Sequence, residues 1–321
     1  MAYYLGIDGG GSKTTCAVGD ESSLLGTVKA GPSNITRVGE TCAGEALRQA
    51  IRGACAAAQI DPRQVLRACI GVAGAGRKEI ASAVRNIAAE IISGEIEVVG
   101  DMQIALAAAF GAGPGVIVIA GTGSIAYGRD ALGRSARAGG WGFAISDEGS
   151  AHWIGRAAVT ALLREIDVVE VRMKEGIDRS DEAQAKAEAL PLFRQIKAAW
   201  DLHSLDDFVR NVNSNPDFAK LFPPILAAAD GADALAQRVL AQAGRELAQL
   251  AEMVIRRLFA EDIVVVPLAM AGGVFRHSSK VREVFRHELG MFESRIDVNP
   301  QVVEPVAGAL QMARKGKTAQ K

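Results

Sequence analysis

The sequence has few cysteines, almost no net charge and no long hydrophobic run. Its four cysteines, in 321 residues, include no C-x-x-C pair, so we expect small buried apolar residues rather than a zinc site or disulfides. The formal net charge is −1 and no dense Lys/Arg run occurs, which argues against nucleic acid as a partner. No stretch approaches ~18 uninterrupted apolar residues and the start lacks a secretory signal, so we expect a cytoplasmic protein with no membrane partner.

Length and composition indicate a globular protein with two domains. Apolar residues make up 49% of the chain and charged residues 23%, an ordinary balance for a protein that buries a large core. A chain of 321 residues is long for one hydrophobic core. Short strands alternate with helical patterns, which predicts the α/β class.

One pattern occurs twice: an apolar strand, a glycine-rich turn and a second strand. The first copy reads YYLGIDGGGSKTTC over Tyr3–Cys16, and the second reads GVIVIAGTGSIAY over Gly115–Tyr127. Glycine at such a turn permits positive φ and lets a phosphate approach without a Cβ in the way. We predict that the two turns face each other across a cleft and hold a nucleotide's phosphates.

Each half of the chain then repeats the order βββαβαβα. The first helix is predicted at about Thr41–Gln59, from apolar residues at helical spacing. The second half carries an additional helical insertion at about 166–260. We place the first domain at 1–115 and the second at 116–304, and we expect a C-terminal helix at about 305–321 to pack back on the first.

Asp8 follows the first strand and precedes three glycines. Its carboxylate either closes an Asx turn or helps to hold Mg²⁺. We expect the contact with Mg²⁺ to pass through a water molecule, because magnesium loses its water reluctantly. The following S-K-T sequence is not a Walker A loop, which needs glycine before the lysine and a helix after it. Hydroxyls and backbone N–H groups here can still donate to phosphate oxygens. The candidate phosphate donors are Gly10, Gly11, Ser12 and Thr14.

Two further aspartates precede apolar helices. Asp101 follows the strand-like EIEVVG, and Asp147 lies within the sequence SDEGS. Each is either an ordinary helix N-cap or a site residue, because open α/β sheets bind ligands at the carboxyl ends of their strands. An aspartate with an ordinary pKa near ~4 would be ionised at neutral pH and able to accept a proton.

Glycine-rich segments in the second half supply further candidates. The sequence GTGS at residues 121–124 has the composition of a phosphate loop, and GGWG follows at 139–142. We predict that Trp141 stacks on a sugar or forms a wall of the site rather than joining the core. The histidines have no ligand spacing, and we expect them to be structural or on the surface: His152, His203, His277 and His287.

Six motifs in this order resemble one known family. GIDGGGSKT, GPSN, GTGS, GGWG, DEGS and a closing AGGV are similar to the BadF/BadG/BcrA/BcrD ATPase-like group, and within it to the N-acetylglucosamine kinases. The resemblance extends over nearly the whole chain. It implies the duplicated ribonuclease-H-like fold of the actin, sugar kinase and heat-shock chaperone superfamily. It also implies ATP as cosubstrate with Mg²⁺, and phosphoryl transfer to the 6-hydroxyl of an amino sugar, with N-acetylglucosamine the expected acceptor.

The resemblance further implies roles for individual residues. Asp101 would accept the proton of the sugar hydroxyl. The sugar pocket would be lined by Asn34, Gly140, Trp141 and Asp147. The phosphates would lie at Thr14 and at the second turn, Gly121, Thr122 and Gly123, and the adenosine at Gly272 and Gly273. A homodimer is common among similar kinases, and we expect one here.

Alternatives remain for the sugar that accepts the phosphoryl group and for the kinase activity itself. The eukaryotic kinases have asparagine after GTGS, whereas this chain has Ile125, which removes a potential contact with the sugar. Glucosamine or another sugar therefore remains an alternative acceptor.

An ATPase activator of a radical dehydratase or reductase would need cysteines for an iron–sulfur cluster, and none lies in the glycine turns. A sugar-sensing regulator would need a DNA-binding arm before the strand that begins at Tyr3, and we expect none.

Overall fold

The computed structural model describes residues 2–171, 184–185, 187–214, 216–259, 265–292 and 295–316. Three segments extend in part outside these residues: the helical insertion predicted at about 166–260, a strand that the apolar run Ile263–Ala269 predicts, and the C-terminal helix predicted at about 305–321. Within the described residues, no helix combines the length and the apolar character needed to cross a membrane.

The first sheet contains five strands in the order β3-β2-β1-β4-β5. The strands are β1 (Tyr3–Gly9), β2 (Thr14–Gly19), β3 (Leu24–Ala30), β4 (Val65–Val72) and β5 (Glu95–Gly100). The first three form antiparallel hairpins, and β4 pairs in parallel with both β1 and β5. The carboxyl ends of β1, β4 and β5 therefore meet at one edge of the sheet, which is where ligands bind in such sheets.

The second sheet has the same arrangement. Its strands are β6 (Gly115–Ala120), β7 (Ser124–Arg129), β8 (Ser135–Gly139), β9 (Val266–Ala271) and β10 (Ile296–Val303). Their order is β10-β9-β6-β7-β8, so β6 takes the place that β1 has in the first sheet. Antiparallel pairs β6–β7 and β7–β8 and parallel pairs β6–β9 and β9–β10 match the first sheet as well. The duplicated α/β fold predicted from the sequence is confirmed.

Helices connect the strands in both halves. They are α1 (Ile35–Ala57), α2 (Lys78–Ala89), α3 (Asp101–Phe110), α4 (Ala151–Val171), α5 (Pro191–Ala199), α6 (Leu205–Asn213), α7 (Phe222–Asp230), α8 (Ala234–Leu258), α9 (Gly273–His277), α10 (Ser279–Phe292) and α11 (Pro305–Lys315). The helix predicted from about Thr41 starts earlier, at Ile35, because the Asn34 side chain caps it by accepting a hydrogen bond from Thr36 N. A kink at Gly39, with φ of 78°, separates this first turn from the rest of the helix.

Two helices lie where the chain passes between the halves. Helix α3 contributes Ile104 to an apolar cluster with β1, and its Ala105 and Leu106 to another with β6 and β9. Helix α11 follows the last strand of the second sheet and lies against β1 and α3 of the first half. A Cβ on Gly6 of β1 would be only 2.3 Å from the Leu310 backbone nitrogen. The chain therefore crosses between its halves at α3 and again before α11.

Candidate active site

The first glycine turn joins β1 to β2 at the edge of the first sheet. Gly9 and Thr14 are the last paired residues of the hairpin, and Gly10 N–H donates to the Lys13 carbonyl at 3.0 Å. Ser12 and Lys13 are exposed at the tip, and Asp8 is half-buried at its base. Within the described residues the Asp8 carboxylate makes no hydrogen bond, so it does not close an Asx turn, and it remains available to a ligand.

The second glycine turn joins β6 to β7 in the corresponding place. Gly121 N–H donates to the Gly123 carbonyl at 2.9 Å, and Ala151 N–H at the start of α4 donates to the Gly121 carbonyl at 2.8 Å. A Cβ on Gly123 would lie 2.6 Å from Asp147 Oδ2. This position therefore requires glycine, because any side chain would displace the carboxylate.

The two turns meet across the cleft between the halves. Ser12 Oγ lies 2.8 Å from Thr122 Oγ1, although the two residues are 110 positions apart in the chain. A Cβ on Gly11 would approach the same threonine hydroxyl to 3.3 Å. The turns thus place exposed hydroxyls and backbone N–H groups on both sides of a shared gap, an arrangement suited to binding an anion.

Three aspartates influence one another at this gap. Burial, followed by the negative charge of Asp101, raises the pKa of Asp8 to about 7, although Lys13 and Arg276 act in the opposite direction. Burial also raises the pKa of Asp101, and of Asp147, where the charge of Asp101 contributes. The expectation of an ordinary pKa for the base is therefore corrected. A carboxylate with a raised pKa is the stronger proton acceptor once it is ionised.

Neither Asp101 nor Asp147 is a helix N-cap. Gly100 occupies the N-cap of α3, and Asp101 is the first helical residue, with its Oδ1 accepting a hydrogen bond from Met102 N at 3.0 Å. Asp147 precedes α4 by four residues, has a positive φ of 63°, and accepts a hydrogen bond from Gly142 N at 3.2 Å. A non-glycine residue in this conformation is uncommon and often marks a functional site.

The candidate sugar residues lie on both sides of the cleft. Asn34 caps α1 through its Oδ1, which leaves its amide NH₂ available. Gly140 adopts a positive φ of 69°, directly before Trp141. Trp141 is 67% exposed, and the Arg137 guanidinium lies 4.4 Å from its ring centroid. The prediction that this indole stays out of the core is consistent with its exposure, and one face of the ring is covered by Arg137.

Thr14, predicted to contact phosphate, and Gly272, predicted to border the adenosine, lie in different environments. Thr14 is completely buried, with its hydroxyl 2.7 Å from the Gly31 carbonyl and 2.7 Å from Ser33 Oγ. The hydroxyl therefore holds the first turn in place, and the structure does not bring it to the cleft surface. Gly272 lies between β9 and α9 with φ of 97°, where a Cβ would be 2.3 Å from the Ala120 carbonyl oxygen. Gly272 and the adjoining Gly273 thus border the second glycine turn.

The side chains of the cysteines and histidines take no part in these contacts, although the His152 backbone N–H donates to the Thr122 carbonyl at 3.4 Å. All four cysteines are free; Cys16, Cys55 and Cys69 are buried as predicted, whereas Cys42 is exposed. Three histidines are exposed. His152 is buried, with its ring between those of Phe143 and Phe218, and burial lowers its pKa.

Two polar clusters near the candidate site residues were not predicted from the sequence. Arg77 donates to Thr36 Oγ1 at 2.7 Å, close to the Asn34 cap. Arg276 of α9 forms an ion pair with Glu304, and both charges act on Asp8. The glycine-rich segment before Arg77 is a signal that could have drawn attention to it. Nothing local in the sequence indicates that Arg276 and Glu304 meet.

A metal at this site would have few direct protein ligands. Within the described part of the chain, no three His, Cys, Asp or Glu side chains are clustered to hold a metal ion. Mg²⁺ usually keeps several waters and takes one or two carboxylates together with phosphate oxygens. Asp8, with a carboxylate free of hydrogen bonds to described residues, fits that kind of ligand set.

The fold and the paired glycine turns define a protein with the duplicated, ribonuclease-H-like fold of the actin-like ATPases. The structure superimposes on that of a ROK family glucokinase from Streptomyces griseus in complex with glucose and AMPPNP with a TM-score of 0.60, covering 98% of this chain and 100% of that one at 17% identity. It superimposes on a Chromobacterium violaceum protein, provisionally assigned as an N-acetylglucosamine kinase, with a TM-score of 0.73, 98% and 99% coverage and 23% identity.

The chain belongs to the BadF/BadG/BcrA/BcrD ATPase family, whose model matches residues 5–313. It is 33% identical to the N-acetylmuramic acid/N-acetylglucosamine kinase of Clostridium acetobutylicum, over 98% of this chain and 99% of that protein. It is 26% identical to the N-acetyl-D-glucosamine kinase of Dictyostelium discoideum, over 98% of both chains. The family resemblance inferred from the motifs is confirmed.

Proposed function

We propose that this chain is an ATP-dependent kinase that phosphorylates N-acetylglucosamine at its 6-hydroxyl. The observation that carries the proposal is the contact between Ser12 and Thr122, which brings the two glycine turns together beside Asp8 and Asp101. The curated relatives named above supply the acceptor. We also retain the sequence-based predictions of a homodimer and of a cytoplasmic location.

The proposed reaction places a different task on each side of the cleft. The 6-hydroxyl oxygen bonds to the γ-phosphorus as the bond to the β–γ bridging oxygen breaks, and the hydroxyl proton passes to the Asp101 carboxylate. Ser12, Thr122 and the backbone N–H groups of the turns bind and orient the phosphates. Mg²⁺ near Asp8, when bound, neutralises phosphate charge. Asn34, Gly140, Trp141 and Asp147 position the sugar.

The ATPase-activator alternative has little support in the structure. A [4Fe–4S] cluster takes four cysteine ligands in general. Cys42 is exposed, while the other three cysteines are buried in the first half. Two copies of the chain would therefore offer two accessible thiols, which is too few to ligate such a cluster.

The first experiment measures ADP release from MgATP with N-acetylglucosamine, glucosamine, glucose or no sugar. We expect N-acetylglucosamine to stimulate turnover most, and Asp101→Asn to lower kcat by at least ~100-fold while the protein stays folded. Asp61→Asn is the matched control, because the exposed Asp61 side chain accepts one hydrogen bond, from Arg63 N to its Oδ1, which asparagine accepts equally well. Hydrolysis that no sugar stimulates would contradict the kinase assignment.

An acidic amino sugar is a second candidate acceptor, favoured by Arg77. This side chain is exposed and is linked to Asn34 through two hydrogen bonds by way of Thr36, and within the described residues it pairs with no carboxylate. N-acetylmuramic acid, which the Clostridium relative is named for, carries a carboxylate on its lactyl group. A guanidinium at this position would bind that group strongly.

Kinetics with the two sugars separate these acceptors. If Arg77 binds the lactyl carboxylate, Arg77→Gln should lower kcat/KM for N-acetylmuramic acid at least tenfold and change kcat/KM for N-acetylglucosamine less than twofold. Arg85→Gln, an exposed change in the following helix, serves as the control. If Arg77→Gln lowers kcat/KM equally for both sugars, Arg77 stabilises the Asn34 cap and does not bind the carboxylate of the sugar.

A further inference from the structure

A groove with an excess of positive charge lies between α4 and α8, and none of its lining residues is among the candidate site residues described above. It encloses about 460 Å³, within the ~300–1,000 Å³ typical of sites for small molecules. The lining residues are Trp153, Arg156, Ala157, Thr160, Ala161 and Arg164 of α4, and Leu235, Arg238, Val239, Gln242 and Arg245 of α8. Its walls therefore combine four guanidinium groups with an apolar and aromatic floor.

The four arginines are not neutralised by neighbouring acids. Arg156, Arg164 and Arg238 are exposed, and Arg245 is half-buried. Among the residues that the structure describes, no carboxylate forms an ion pair with any of these four side chains. In a chain whose net charge is −1, four unpaired cations around one groove create a local field that favours anions.

One of the four guanidinium groups is held in a fixed orientation. Arg245 Nε donates to Gln242 Oε1 at 2.9 Å, and Gln242 Nε2 donates in turn to Glu246 Oε1 at 2.7 Å. These bonds use the Nε of Arg245 and leave its two terminal nitrogens without a hydrogen bond to the described residues. A guanidinium fixed in this way loses less entropy when it binds a carboxylate or phosphate.

We propose that this groove binds a small organic anion, one with at least two phosphate or carboxylate groups on an apolar or planar body. The guanidinium groups on both helices would bind the charged groups, and the Trp153 indole with Leu235 and Val239 would contact the body. A second copy of the chain is a poor occupant, because a two-fold interface would place the four arginines against themselves. The site is independent of the proposed kinase activity.

The test uses 8-anilino-1-naphthalenesulfonate, a planar apolar anion, and its displacement by inorganic pyrophosphate. We expect wild-type protein to bind the dye and pyrophosphate to displace it. Arg164→Gln/Arg238→Gln should weaken dye binding at least tenfold, since two charge-assisted contacts are lost. The matched control is Arg52→Gln/Arg85→Gln, two exposed arginines on helices of the other half, which should bind the dye like wild type.

Several outcomes would overturn the proposal. These are no dye binding by wild type, equal affinity of the two double variants, or equal binding of neutral N-phenyl-1-naphthylamine without displacement by pyrophosphate. Displacement by a deca-glutamate peptide at far lower concentrations than pyrophosphate would point to an acidic protein partner instead. Trp153→Phe locates the dye, because energy transfer from this indole should disappear while binding persists. Circular dichroism checks that each variant is folded.

Discussion

At the scale of single residues, Asp8 couples folding to pH. Burial and the charge of Asp101 raise its pKa in the folded state from 3.8 to about 7. Between these values the folded protein holds a proton that the unfolded chain releases. Because the folded state binds more protons there, raising the pH favours unfolding. The contribution of Asp8 is thus greatest below about pH 4 and is lost as the pH rises through about 7.

We predict that metal-free protein loses stability over this interval, by an amount on the order of a few kcal/mol. Asp8→Asn should be less sensitive to pH in the same range, because it removes the titrating group. The measurement is urea unfolding from pH 4 to 8 with a chelator present, and the quantity of interest is the difference between the two proteins. Parallel stability profiles for wild type and variant would contradict the raised pKa.

A second residue-scale prediction concerns the exposed Trp141. If its indole stacks on the sugar, Trp141→Ala should raise the KM for the sugar about three- to tenfold and leave ATP affinity nearly unchanged, since one stacking contact is lost. Leu132→Ala is the control, because Leu132 is also exposed, at 80%, in a turn away from the cleft. An unchanged KM for the sugar would exclude the stacking role.

At the scale of elements, the contact between β1 and α11 leaves no room for a side chain at Gly6. A Cβ there would lie 2.3 Å from Leu310 N and 2.8 Å from its Cα, so the whole helix would have to move. We predict that Gly6→Ala lowers the free energy of unfolding by at least ~1–3 kcal/mol. Gly76→Ala, with no atom near its Cβ position, should change it by less than ~0.5 kcal/mol.

Urea denaturation of both variants tests this prediction, and similar midpoints for the two would contradict the close approach of α11. The same comparison reports on the predicted return of the C-terminal helix to the first domain. Far-ultraviolet circular dichroism distinguishes displacement of the helix from loss of its helical structure.

Elements with strong local patterns could be predicted from the sequence. The strands and both glycine turns were predictable because alternating apolar residues and glycines act over a few positions, and the duplication implied that the turns face each other. The start of α1 was not, because it depends on the Asn34 cap. The burial of Thr14 and the meeting of Arg276 with Glu304 depend on tertiary contacts that no local pattern records.

At the scale of the whole molecule, an ion pair spans the cleft. Arg37 NH2, in the first turn of α1, lies 2.7 Å from Asp217 Oδ2 in the second half, and both side chains are partly exposed. Such a pair contributes up to ~1 kcal/mol. That is a small part of the ~5–15 kcal/mol by which a protein is usually stable, but it can change the ratio of closed to open molecules about fivefold.

We predict that Arg37→Gln increases the radius of gyration of the substrate-free protein, as measured by small-angle X-ray scattering. Arg48→Gln is the matched control, because its partner Glu90 belongs to the same half of the chain, and its removal should leave the radius unchanged. High salt should move wild type toward the variant. If the two variants scatter alike, the Arg37 ion pair does not hold the cleft.

The two crossings between the halves also restrict how the molecule can move. Helix α3 leads into the second half at β6, and the chain returns between β10 and α11. Two tethers define a line, and rotation about that line is the motion that stretches neither of them. Opening of the cleft therefore has one principal degree of freedom, a hinge angle set by covalent connectivity. Along that coordinate the halves separate and return in the same register, so the turns reach the same alignment at each closure.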